Sequence, residues 1–194
     1  MVLDGAVFEG RLYLAWFKAN SLCIGPDKSY LSIFDSNTAD ALEILRTELY
    51  YNGLYYSIDA VAVDQNGIYL SGSYAGGESK LFALDFKEAS IISMKWVRME
   101  NQWNGIADIQ VQEGDVYLTG VTDYRSVNYE DVLLAKFDVG GNLIWLSQWG
   151  TTCIDYGKAV EIREDGLYVS VRAGFCSILD PATPAPAYSG DFIL

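Results

Sequence analysis

Carboxylates dominate the reactive groups of this sequence, with 26 Asp and Glu against 13 Lys and Arg and a formal charge of −13. None of the 194 residues is histidine, so Ser-His-Asp triads, Cys-His dyads and His-ligated zinc or haem are excluded. What remains is oxygen chemistry. Asp123, Glu130 and Asp131 lie close in sequence, as do Asp35, Asn37 and Asp40, and all-oxygen ligand sets suit Ca2+. Neither group has the full spacing of a calcium loop. Solvated turn carboxylates are the competing reading, and no metal or other cofactor is assigned. Two carboxylates flanking a glycosidic bond are the machinery of glycoside hydrolysis. Glu48, Asp59, Asp123 and Asp155 are candidates, but no spacing singles out a pair. The three cysteines, Cys23, Cys153 and Cys176, form no Cys-x-x-Cys motif, which leaves zinc and redox motifs unsupported. The charge also argues against nucleic acid and anionic membrane surfaces as partners, since both require clustered Lys and Arg.

Aromatics are the more distinctive set: 14 Tyr, 8 Phe and 5 Trp. Flat rings beside hydrogen-bonding groups suit sugars and protein partners alike. Whether they act together depends on the elements that carry them.

Four segments repeat: Ala6-Val7-Phe8-Glu9-Gly10-Arg11-Leu12-Tyr13-Leu14, Ala60-Val61-Ala62-Val63-Asp64-Gln65-Asn66-Gly67-Ile68-Tyr69-Leu70, Ala107-Asp108-Ile109-Gln110-Val111-Gln112-Glu113-Gly114-Asp115-Val116-Tyr117-Leu118 and Ala159-Val160-Glu161-Ile162-Arg163-Glu164-Asp165-Gly166-Leu167-Tyr168-Val169. Each predicts a strand, a tight turn and a second strand, with Glu9-Gly10, Asn66-Gly67, Glu113-Gly114 and Asp165-Gly166 in equivalent turn positions. The turn glycines lie 57, 47 and 52 residues apart, a period of about 50. A third strand closed by Asp follows in each unit, at residues 30–35, 81–85, 133–138 and 175–180. A fourth follows at residues 42–48, 91–98, 143–149 and 188–194, the last after the extended Pro181-Ala182-Thr183-Pro184-Ala185-Pro186 stretch. Residues 38–49 have a helix-compatible period, but their place in the repeat predicts strand.

Four-stranded units at this period predict an all-β fold, a β-propeller of four antiparallel meander blades with about 16 strands. The expected single domain spans residues 1–194, with blades at about 1–50, 51–101, 102–150 and 151–194. A lone meander buries neither face, whereas stacked blades bury both. That explains strands apolar on both sides, such as Leu81-Phe82-Ala83-Leu84. If the ring closes, the first and last blades are neighbours, and a Cys23–Cys176 disulfide would staple it. Cys153 is the rival partner, and three reduced, buried cysteines are the alternative. The repeat places Tyr50, Tyr51, Tyr55 and Tyr56 at the first crossing between blades, Trp103 at the second and Tyr156 at the third. Tyr124 and Tyr129 fall in a long loop of the third blade. These loops emerge on one face. They therefore predict an aromatic rim in which Tyr55, Tyr56, Trp103, Tyr124, Tyr129 and Tyr156 bind ligand, or else cap the blade ends.

The repeat resembles the bacterial and archaeal SBBP, or seven-bladed β-propeller, repeat. The third unit carries the resemblance best, through Asp131-Val132-Leu133-Leu134-Ala135-Lys136-Phe137-Asp138, then Gly141-Asn142-Leu143-Ile144-Trp145, and the strand Val116-Tyr117-Leu118-Thr119-Gly120. Ile68-Tyr69-Leu70-Ser71-Gly72 matches the last pattern, while the first and last units lack its Lys and trailing Gly. The resemblance implies a propeller and an extracellular or cell-surface setting, and it brings no catalytic residues. Met1-Val2-Leu3-Asp4-Gly5 lacks the basic start and apolar stretch of a signal peptide. Four blades are fewer than the family name suggests. A compact ring, a segment of a longer protein and association between copies all accommodate that number. The leading expectation is a non-catalytic propeller that binds glycan or protein through its aromatic rim. The alternatives are a self-assembling subunit of a surface layer or filament, and a polysaccharide-active enzyme with paired carboxylates.

Overall fold

The computed structural model describes residues 2–18, 28–45, 49–52, 54–73, 79–85, 93–98, 103–122, 130–151, 153–175 and 190–193. All regular structure among them is β. The first sheet pairs β1 (Val2–Phe8), β2 (Arg11–Lys18), β3 (Lys28–Asp35) and β4 (Ala41–Leu45) in that order. The second runs through β5 (Leu49–Tyr51), β6 (Leu54–Asp64), β7 (Gly67–Ser73), β8 (Ser79–Asp85) and β9 (Ser93–Arg98). The third comprises β10 (Trp103–Gln112), β11 (Asp115–Thr122), β12 (Asp131–Phe137) and β13 (Leu143–Trp149). The fourth holds β14 (Ile154–Arg163), β15 (Gly166–Phe175) and β16 (Gly190–Ile193). Every pairing is antiparallel and sequential, as in the meander blades of a β-propeller.

Alternation along the strands sends side chains to both faces of a blade. In the second sheet, Ile68, Leu70, Phe82 and Leu84 pack against Tyr13, Ala15, Leu31 and Ile33 of the first. Their neighbours Tyr69, Leu81 and Ala83 pack against Ile109, Leu118 and Leu133 of the third. A third cluster joins Val132 and Leu134 to Val160, Val169 and Val171 across the last seam. Among the described residues, inner strands pack in succession, β1 on β6, β6 on β10 and β10 on β14. Among the described residues, no strand of the first sheet packs on the fourth as the successive inner strands pack on one another.

All four inner strands carry a register shift at the same place, which leaves Leu3, Asp59, Ala107 and Lys158 unpaired opposite β2, β7, β11 and β15. Such bulges bend a strand and sharpen its twist. Just before the shift in the third sheet, Ile106 pairs with Gly120. A Cβ on Gly120 would overlap the carbonyl oxygen of Gly105, so the trailing glycine of the Tyr-apolar-Thr-Gly strand is a requirement of close backbone approach.

Several expectations change. The turns of the first and third hairpins do use left-handed pairs, Glu9-Gly10 and Glu113-Gly114, with φ of 47° and 71°, and 55° and 88°. In the second and fourth the register Asp64↔Gly67 and Arg163↔Gly166 makes the turn Gln65-Asn66 and Glu164-Asp165. Gly67 and Gly166 therefore begin the return strands, one place later than the repeat suggested. For the second hairpin the reason is Asp64, whose carboxylate accepts the Asn66 backbone N–H at 2.8 Å and closes the turn itself. The residues of the first crossing form a hairpin, with Tyr50 opposite Tyr55 and Tyr51 opposite Leu54. Asn52 at φ 49° supplies its turn. In the last unit, residues 190–193 pair with β15 as a third strand, not a fourth. Of the expected third strand, Phe175 ends β15, and residues 176–180 lie outside the described residues. The helix-compatible stretch is strand where described, over Ala41–Leu45.

Candidate functional site

Inner strands bring together carboxylates that the sequence reading passed over. Asp4 and Asp108 sit at matching positions, one residue after the bulge of β1 and of β10. Asp4 Oδ2 accepts the Val61 N–H of the next sheet at 2.7 Å, and Asp108 Oδ2 accepts the Val160 N–H of the next at 2.8 Å. Each carboxylate thus serves a backbone donor of the neighbouring blade. Asp108 also accepts the Ile109 N–H through Oδ1 at 2.8 Å. Burial is the main force pushing its carboxyl up to about 6, and the charge of Asp4 adds to the shift. That range suits a proton donor near neutral pH, but both oxygens are occupied by backbone donors. A further buried carboxylate, Asp64, accepts the Gly114 N–H of the third hairpin at 2.7 Å. The equal placement of Asp4 and Asp108, each four residues before its strand ends, was the available signal.

The four proposed enzymatic carboxylates do not assemble into a pair among the described residues. Glu48 and Asp123 lie outside them. Asp59 occupies the β6 bulge, where burial pushes its carboxyl up and the Ser73 and Ser57 hydroxyls partly offset this. Asp155 is buried in β14 and accepts N–H groups of Thr151 and, at 2.8 Å, Gly174. Asp155 organises a loop. The calcium candidates behave similarly. Asp35 Oδ1 accepts the Asn37 and Thr38 N–H groups at 2.8 and 3.0 Å, and these bonds hold its carboxyl below the usual range. The Asp40 N–H donates to Thr38 Oγ1. Asp131 accepts from Gln148 Nε2 at 2.7 Å, and the Glu130 carbonyl accepts the Asp155 N–H.

The expected rim is redistributed. Tyr124 and Tyr129 lie outside the described residues. Tyr55 and Trp103 are strand residues, in β6 and at the start of β10, with Trp103 opposite Thr122. Tyr56 is buried, edge-on to Phe82 at 5.4 Å, with the Lys80 ammonium 5.4 Å from its ring centre. It caps the blade interior. Tyr156 is a half-buried residue of β14 lying under Lys158 at 5.0 Å. Cys153 is buried and disulfide-bonded. Its partner is one of Cys23 and Cys176, both outside the described residues. Three reduced cysteines are thereby excluded, and the expected Cys23–Cys176 staple falls on residues outside the described ones.

Exposed apolar surface gathers elsewhere. Large exposed hydrophobic residues among those described are Leu3 and Val7 on the first sheet and Val139, Leu143, Ile144 and Trp145 at the outer corner of the third. The second group lies on β13 and the turn before it. Because β13 is the edge strand of its sheet, one row of its backbone donors and acceptors faces outward. Trp145 stands across from Lys136, itself across from Tyr117. The indole meets the Tyr117 ring edge-on at 6.3 Å. Lys136 lies 4.9 Å over that ring and 2.7 Å from Asp115. The exposed indole is fixed in place.

No family model matches the chain, and no curated protein does so either. Solved structures do match, and they show the fold. The β-propeller domain of the Trilobed protease from Pyrococcus furiosus, described as having an open velcro topology, aligns over 99% of this chain and 52% of its own at 10% identity, with a TM-score of 0.57. The WD40 domain of coronin from Toxoplasma gondii aligns over 88% of this chain and 41% of its own at 12% identity, with a TM-score of 0.53. The chain thus spans about half the length of the first and less of the second. It is a β-propeller module.

Proposed function

We propose that this module is a non-catalytic binding propeller and that its partner is a protein, held at the outer edge of the third sheet. The observation that carries the reading is the apolar edge strand Leu143–Trp149, on which Ile144 is 51% exposed. Exposed apolar surface on a strand that is its sheet's edge among the described residues favours an added strand, whose backbone supplies affinity and whose alternate side chains supply specificity. At −13, the chain favours a segment with apolar alternation and basic flanks. Glycan binding by Tyr124 and Tyr129 is the rival within the same class. The Cys153 disulfide and the resemblance to SBBP repeats both support an extracellular or cell-surface setting.

The test is a displayed library of extended peptides beside an array of neutral glycans, each probed with the wild type, Ile144→Lys and Trp145→Ala. The expected result is selection of apolar peptides with basic flanks, and at least about a tenfold loss of binding in both variants, the scale of one well-buried interface contact. Melting temperatures should barely move. Glycan binding indifferent to both substitutions would overturn the reading and return the function to the aromatic loops.

A further inference from the structure

Three asparagines of this chain precede glycine: Asn52, Asn66 and Asn104. At an Asn-Gly step a chain can hydrolyse its own side-chain amide, because glycine puts no side chain in the way of the attack. The glycine backbone nitrogen attacks the asparagine Cγ. The new N–Cγ bond forms, the bond from Cγ to the amide nitrogen breaks, and that nitrogen leaves as ammonia with the proton of the attacking N–H. Water then opens the cyclic imide at either carbonyl, giving aspartate or β-linked isoaspartate. Water is the one co-reactant, and nothing is oxidised or reduced. The step needs a free side chain and a backbone that can rotate beside it.

The fold treats the three asparagines differently. Asn66 donates through its backbone N–H to Asp64 Oδ1 at 2.8 Å and through Nδ2 to Asp64 Oδ2 at 3.1 Å. Asp64 is buried and also accepts the Gly114 N–H, so this clamp belongs to the seam between the second and third sheets. Gly67, whose nitrogen would attack, is paired with Asp64 in the ladder. Asn104 lies inside β10, flanked by the pairs Trp103↔Thr122 and Gly105↔Val121. A paired strand holds the backbone extended and resists the rotation. Asn52 has neither restraint. It is exposed, and among the described residues none holds its side chain by a hydrogen bond. It stands at φ 49° in the turn that follows Tyr51. The strand before it, Leu49–Tyr51, pairs with Leu54–Tyr56 only. So short a ladder opens readily.

We infer that Asn52 is a site of spontaneous deamidation in the folded protein, and that Asp64 protects Asn66 from the same reaction. Each event adds one negative charge to the −13 of the chain. The aspartyl product keeps the turn, since Asp tolerates the left-handed region as Asn does. The isoaspartyl product places one more carbon in the backbone between residues 52 and 53, which misaligns β5 with β6. The modification lies at the first crossing between sheets and is independent of the partner proposed at β13.

Peptide mapping by mass spectrometry tests the inference, on wild type held for days at neutral pH, folded and in denaturant. In the folded chain Asn52 should convert at least about tenfold faster than Asn66, because two bonds to a carboxylate must break before Asn66 reacts. Asn104 should also lag Asn52. In denaturant all three should convert at similar rates. Asp64→Ala should speed Asn66 and leave Asn52 unchanged; should that variant unfold, the wild-type comparison decides alone. Asn52→Gln should abolish the acidic species that ion exchange resolves from aged protein, since glutamine must close a larger, less favourable ring. Amide exchange at residues 49–51 should be faster in the isoaspartyl fraction than in Asn52→Asp, and equal exchange would remove the misalignment from the inference. A folded chain in which Asn52 is as slow as Asn66 overturns it. So does an unchanged order of rates in denaturant, which would trace the difference to local sequence and not to the fold.

Discussion

Asp108 shows how one side chain can join blades and set a pH response. Its carboxyl titrates near 6 in the folded chain, against 3.8 for an ordinary Asp. Between those values the native state binds more protons than the unfolded one, so stability rises as pH falls through about 6 and is lost as pH rises through it. From pH 7 to pH 5 the gain should be about 1 kcal/mol, since one pKa unit is worth about 1.4 kcal/mol. Asp59 shifts in the same direction. Asp35 shifts the other way, so its stabilising effect is fully present above the ordinary 3.8 and is lost as pH falls below it, outside this window. The expected outcome is a melting temperature that increases on mild acidification, with a visibly smaller increase in Asp108→Asn. Equal slopes for the two proteins would show that Asp108 does not titrate in this window. Asn also keeps only one acceptor for the two N–H groups of Val160 and Ile109, so the variant should be somewhat less stable at pH 5.

Among the elements, the strands and their order were legible because alternation and turn chemistry recur in every unit. Residues 143–149 form the fourth strand of the third blade, as the repeat suggested. Failures came where a local signal was shared by two outcomes. Asn66-Gly67 reads as a left-handed pair, yet the Asp64 carboxylate closes the turn one residue earlier. The Tyr-rich crossing looked like loop because Asn52-Gly53 went unread as a turn signal, although it stands between Tyr51 and Leu54. Asp4 and Asp108 went unremarked because their use depends on a bulge, and bulges leave no mark in an alternating pattern. The trailing glycine of β11 was visible as a repeat feature, but its cause was not. That cause gives a prediction. Gly120→Ala should destabilise by about 3 kcal/mol or more, because its Cβ meets rigid backbone rather than a side chain that can turn away. Gly105→Ala, in the same sheet, would meet only Val121 Cγ1 at 3.3 Å and should cost less than half as much. Denaturant melts of the two variants decide this, and equal costs would refute the close-approach account.

For the molecule as a whole, the dominant long-range force is its own charge. Twenty-six carboxylates and thirteen cations leave −13 on one chain. Local bonds absorb part of it: Lys136 neutralises Asp115, and backbone N–H groups solvate Asp4, Asp64, Asp108 and Asp155. Those bonds do not cancel the net field, which opposes bringing sheets together. Hydrophobic seams hold the series against it, and their contribution depends little on dilute salt. Screening should therefore act on the repulsive part alone. Raising sodium chloride from about 0.01 to 0.15 M shortens the Debye length from about 30 to 8 Å, less than the width of a sheet. The melting temperature is expected to climb over that interval and then level off. Calcium at matched ionic strength should do no more than sodium if the Asp35 and Asp131 carboxylates remain committed to Asn37, Thr38 and Gln148. A calcium-specific rise would mean that one of those groups gives up its present partners for the ion. A melting temperature flat in sodium chloride would mean that self-repulsion is not what limits this fold.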